Sequence, residues 1–159
     1  MKVIVAIDQT DYSRQIIDSL VKHSWPKDTA FKLITVIEPQ QWEQPKWRQL
    51  AAEVFTQLEE AAINLLKKAR SRLEEEVPDC TIHIEVRQGS AKDELLKAAI
   101  DWMPDKIVVG AHGHSPNRLL GSVPRTLSRR APCSVELVRL RKLPPCKPSE
   151  RVASTVRAN

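Results

Sequence analysis

Apolar residues in this chain fall into two periods. Unbroken short runs, Val3 to Ile7 near the start and Ile107-Val108-Val109 later, carry no polar alternation, which is the pattern of strands covered on both faces. Elsewhere the apolar positions recur at helical spacing. Residues 2–8 (KVIVAID) are predicted as a first strand ending in a carboxylate, Asp8. Thr10 or Asp11 can then cap a helix marked by Ile16, Ile17, Leu20 and Val21, which ends before Trp25-Pro26. Phe31–Ile37 forms a second strand closed by Glu38-Pro39, and a polar loop over 40–46 carries Trp42, with Trp47 at the next helix start. Either Trp serves to pack that loop on the body or to cover a ligand.

A long amphipathic helix follows from Trp47 to Glu76. Its inward face is marked by Ala51, Val54, Phe55, Leu58, Ala62, Leu65, Leu66, Ala69 and Leu73, and Val77-Pro78 stops it. Thr81–Val86 alternates as a third strand, Gly89-Ser90 turns the chain, and Lys92–Trp102 is a third helix with Leu95, Leu96 and Ala99 inward. The run at 107–109 is the fourth strand, Val123–Arg130 the fourth helix and Ser134–Leu140 the fifth strand. Strands alternating with helices, most of them near-continuously apolar, predict an α/β fold. It is a doubly wound five-stranded parallel sheet of order 3-2-1-4-5 with helices on both faces. Residues 1–140 make one domain. Residues 141–159, basic and proline-containing with no apolar period, are expected to be a disordered tail.

Charge alters the picture less than its total suggests. The formal net charge is +5, but residues 141–159 hold five Lys/Arg against one Glu, so the folded part is nearly balanced and no nucleic-acid partner is expected. No stretch approaches the length of a membrane span, and the first apolar run is too short for a signal peptide, so a cytoplasmic protein is expected. Three cysteines, Cys80, Cys133 and Cys146, form no C-x-x-C pair and suit neither a disulfide framework nor a zinc site.

The candidate chemistry gathers in 105–123, DKIVVGAHGHSPNRLLGSV. A strand breaks at Gly110, Gly113 follows, and Gly121-Ser122 stands immediately before a helix. Such a strand, glycine loop and helix start either makes an ordinary tight connection or lays free N–H groups against an anion, usually a phosphate. In a 3-2-1-4-5 sheet the winding reverses between the first and fourth strands. Asp8 therefore comes beside Gly110 at the point where such folds bind ligands, and that coincidence favours the phosphate. Arg118 and Arg125 flank the site, and His112 and His114 are further candidate phosphate contacts. A His-x-His pair with no third ligand nearby in sequence does not make a metal site, and none is expected. Pro124 falls in the first helical turn and removes one N–H donor.

With these residues the chain resembles the universal stress protein family over residues 2–140. The family's nucleotide-binding branch carries an early Asp after the first strand, matched by Asp8, and a glycine signature, G-x2-G-x9-G-(S/T). Gly110, Gly113, Gly121 and Ser122 match the signature in identity and order, with seven residues in place of nine between the second and third glycines. The resemblance implies binding of ATP or ADP, with Mg²⁺ on the phosphates, in a regulatory or stress-response module. Val36 would meet the base through its backbone and Asp8 the adenosine side, while Gly110, Gly113, Gly121, Ser122 and Val123 would face the ribose and phosphates. The alternatives are a non-nucleotide dimerisation or protein-interaction module of the same fold, or a slow ATPase. No catalytic residue is expected.

The fifth strand would be an exposed edge carrying Val135, Leu137, Val138 and Leu140, with only Glu136 and Arg139 to discourage pairing. The resemblance implies a homodimer through it. Antiparallel pairing about a two-fold axis lets Val138 face its own copy, with Leu137 opposite Arg139, and a proline at Val138 is expected to remove a ladder donor.

Overall fold

The computed structural model describes residues 1–9, 11–38, 48–111 and 120–139. In chain order the elements are β1 (Lys2–Ala6), α1 (Asp11–Val21), β2 (Thr29–Ile37), α2 (Arg48–Glu76), β3 (Cys80–Gln88), α3 (Ala91–Trp102), β4 (Lys106–Gly110), α4 (Ser122–Arg130) and β5 (Ser134–Val138). All strand pairs are parallel, and the sheet runs β3-β2-β1-β4-β5, the order expected from the sequence.

Alternation along the strands builds two separate cores. Val3 and Val5 of β1, Phe31 and Leu33 of β2 and Val108 of β4 face α1 and α2, where Ile16, Ile17, Leu20, Leu66, Ala69 and Leu73 cover them. Ile4, Ile34, Ile107 and Val109 face the other way, against Leu95, Leu96, Ala98 and Ala99 of α3 and Leu127 of α4. Burial on both faces is why β1 and β4 are apolar without interruption. Trp25 closes the first core at the amino end of the sheet: its ring meets Phe31 edge-on at 5.1 Å, and its Nε1 donates to Leu20 O at 2.7 Å, satisfying a carbonyl at the end of α1.

Several sequence expectations change at this level. β4 ends at Gly110 as expected, but Gly110 is still paired with Val138 and leaves the strand without a positive φ. Among the described residues the glycine at positive φ is Gly89, at 132°, in the turn between β3 and α3. Asp11 is the first helical residue of α1 and so not its cap. Leu58, in phase with the inward face of α2, is 39% exposed. Thr10, Trp42, Trp47 and the tail 141–159 lie outside the described residues.

The fifth strand is an edge, as expected, but its backbone directions alter the proline argument. Val138 O accepts from Ala111 N at 2.8 Å. Within a strand a residue's N–H and C=O point to the same side, so Val138 spends both on β4. The outward groups at this edge belong to Leu137 and Arg139. A proline at Val138 would therefore break the sheet from within instead of removing an edge donor. Leu140 lies outside the described residues.

Candidate functional site

A crevice opens at the carboxyl ends of the central strands, where β1 and β4 lie side by side and the winding reverses. Its floor is Ala6, Ile34, Val36 and Val109, and its walls are Ala91 and Leu95 of α3 and Gly121 to Pro124 at the start of α4. Asp8 and Gly110 stand at the strand ends. Six of the residues singled out in the sequence, Asp8, Val36, Gly110, Gly121, Ser122 and Val123, thus line one cavity although they come from four parts of the chain. Arg125 is exposed on α4 and is not among the lining residues. His112, Gly113, His114 and Arg118 lie outside the described residues.

The entry to α4 is fixed by its neighbours. Ala111 N donates to Val138 O, and Gly121 N donates back to Ala111 O at 2.9 Å, so the chain returns to the end of β4 before the helix begins. This bond ties Gly121 to the residue that follows β4. Gly121 itself is the N-cap, at φ −66° and ψ 168°. Helix geometry leaves the N–H groups of Ser122 and Val123 without intrahelical partners, and Pro124 has none to offer.

Two helix starts border the crevice, and their charges differ. At α3 the Glu38 carboxylate accepts from Ala91 N at 2.8 Å, while Asp93 and Glu94 occupy the first turn. At α4 there is no acidic residue in the first turn. The partial positive end of α3 is thus already met by carboxylates, whereas among the described residues the first turn of α4 carries none. Glu38, Ala6, Ala91 and Leu95 were not singled out as site residues from the sequence. Ala6 carried the one available signal, a small residue within a run of Val and Ile.

Chemistry outside the crevice is sparse. Among the described residues no cluster of His, Cys, Asp and Glu could hold a metal ion, and no helix is long and apolar enough to cross a membrane. Burial pushes the thiols of Cys80 and Cys133 up from their ordinary value. The carboxylates Glu74 and Asp79 add to this at Cys80, and Asp105 at Cys133. Because the thiolate is the nucleophile, both should be alkylated by iodoacetamide at pH 8 more slowly in the folded protein than in the urea-unfolded chain. Peptide mass spectrometry reads each site, and equal rates in the two states would contradict the burial argument.

Comparison with known proteins agrees with the fold. Over 81 residues the chain is 37% identical to universal stress protein A homolog 2 of Coxiella burnetii, a match spanning 48% of this chain and 56%, less than two thirds, of that relative. The fold is similar to that of the universal stress protein UspA from Lactobacillus plantarum, with a TM-score of 0.77 at 20% identity over 87% of this chain and 97% of that one. It is also similar to a universal stress protein family protein from Arabidopsis thaliana solved with AMP bound, with a TM-score of 0.63 at 16% identity, covering 87% and 91% of the two chains. Residues 1–139 match the profile of the universal stress protein family, and with the sheet order and the strand-end crevice in place the chain belongs to that family.

Proposed function

We propose that the crevice binds an adenine nucleotide, ATP or ADP, and that the protein is a cytoplasmic regulatory or stress-response module working as a homodimer. The observation that carries this reading is the convergence of Asp8, Val36, Gly110, Gly121, Ser122 and Val123 on one cavity. The base would lie on the apolar floor near Val36, Asp8 would take the adenosine side, and the phosphates, with any Mg²⁺ they carry, would meet Ser122 and Val123. The difference between the helix starts supports that direction, since a phosphate beside Glu38 and Asp93 would be repelled. The AMP held by the Arabidopsis thaliana relative is consistent with the same ligand class.

Titration calorimetry with ATP, ADP and AMP, each with and without Mg²⁺, tests the proposal, with GTP as the comparison. Heat of binding is expected for the adenine nucleotides. No heat with any of them would leave the fold as a dimerisation or protein-interaction module. Hydrolysis is expected to be absent or well below roughly one turnover per second. Among the described lining residues the one carboxylate is Asp8, proposed to lie on the side of the nucleotide away from the phosphates, so none of these residues offers a base to direct a water. A faster steady-state rate would make the protein an enzyme.

A further inference from the structure

Two buried hydroxyls, on different elements, address the pair of residues that follows β1. Ile7 N continues the strand pairing by donating to Ile34 O at 2.9 Å. Thr35 Oγ1 donates to Ile7 O at 3.0 Å. Asp8 N then donates to Ser13 Oγ at 2.8 Å, and the same hydroxyl lies 2.5 Å from Asp8 O and 3.1 Å from Asp8 Oδ1. Having one proton, Ser13 serves one of these two oxygens at a time while accepting from the amide. Three buried polar residues occur among the described ones, and the third, Thr29, bonds only to its own turn at Pro26 O. Of the other two, Thr35 holds Ile7 and Ser13 holds Asp8.

Ser13 is at odds with its own helix. It is 4% exposed and in phase with Ile16, Ile17 and Leu20 on the face of α1 that packs on the sheet. Alanine at such a position would avoid burying a hydroxyl and would favour the helix more. The hydroxyl has a use at the start of α1 only because Asp8 lies within its reach. We propose that Ser13, seconded by Thr35, is a positioning residue: it fixes the backbone and carboxylate of Asp8 before the ligand arrives. This inference rests on a nucleotide occupying the crevice as proposed above. A hydroxyl that already holds Asp8 lowers the cost of ordering that carboxylate when the ligand binds.

The test is a double-mutant cycle in the full chain, reading the nucleotide dissociation constant by calorimetry and the thermal midpoint by circular dichroism. Ser13→Ala is expected to weaken binding about tenfold, in line with the loss of a single well-placed hydrogen bond. Ser13→Thr, which restores the hydroxyl, should return affinity to within about twofold of the unmodified protein. In an Asp8→Ala background Ser13→Ala should cost no further affinity, while any change in thermal midpoint persists. Thr35→Val should follow the same pattern. Undiminished affinity in Ser13→Ala, an equal loss with and without Asp8, or no rescue by threonine would each overturn the positioning role while leaving nucleotide binding intact. Absence of binding by the unmodified protein would instead remove the nucleotide reading, and this inference with it.

Discussion

Ala6→Leu is expected to abolish nucleotide binding while the fold stands. Ala6 is the last residue of β1, paired with Ile34, and its side chain faces the α3 and α4 side, where it forms the crevice floor with Val36 and Val109. A leucine there would occupy the surface on which the base is proposed to rest. In a filled core such an enlargement costs about 1–3 kcal/mol, but here the added carbons enter an open crevice and the cost should be at the lower end. Affinity for ATP, ADP and AMP should fall by at least about a hundredfold, equivalent to about 2.7 kcal/mol. The thermal midpoint should move by only a few degrees. Calorimetry and thermal denaturation on the same preparation separate the two effects. Unchanged affinity would place the ligand elsewhere, and loss of affinity together with unfolding would mean that Ala6 is a core position.

The second large effect concerns assembly. Leu137→Pro should convert a dimer into a monomer while the helical content stays unchanged. β5 pairs with β4 on one side only, and its other side is an edge. Glu136, one of the two charges there, is paired with Lys106 of β4 at 2.8 Å. The opposite edge is better protected. On β3, Glu85 and Arg87 alternate with the apolar residues and pair with each other and with Lys32 and Glu94. The proposed dimer therefore continues the sheet at β5, with Val138 opposite its copy and Leu137 and Arg139 exchanging main-chain hydrogen bonds. Because the Leu137 N–H points outward, proline at that position removes a donor from the interface without touching the β4 ladder. Val138→Pro, by contrast, should lower the thermal midpoint sharply. Sedimentation showing a monomeric unmodified protein, or a dimeric Leu137→Pro variant, would exclude this edge.

Much of the fold was legible along the chain because its signals are local. Two unbroken apolar runs and a strand with apolar alternation, separated by helical periods and turn residues, define which elements exist. The rule for parallel crossovers leaves few ways to join them. That was enough to bring Asp8 beside Gly110 and to set Gly121, Ser122 and Val123 at a helix start. Periodicity reports which face of one element is apolar, however, and not whether a neighbour reaches it. Leu58 follows the pattern of α2 and is still 39% exposed. Side-chain bonds between elements were equally out of reach: Glu38 meets the start of α3 at Ala91, 53 residues away, and Thr35 meets Ile7, 28 away. Ser13 was close enough to Asp8 in sequence to be suspected, but only the way α1 folds back on the sheet turns its hydroxyl to the strand end. The direction of the Val138 backbone was decided by its pairing with Gly110, since a shift of one residue in register would turn those same groups outward. The chain by itself thus determined its elements, their order and the end of the sheet that carries the crevice. Tertiary structure decided that Ser13 reaches Asp8, which helix start is met by carboxylates and which amides the edge exposes, because each of these depends on distances between segments that sequence spacing does not encode.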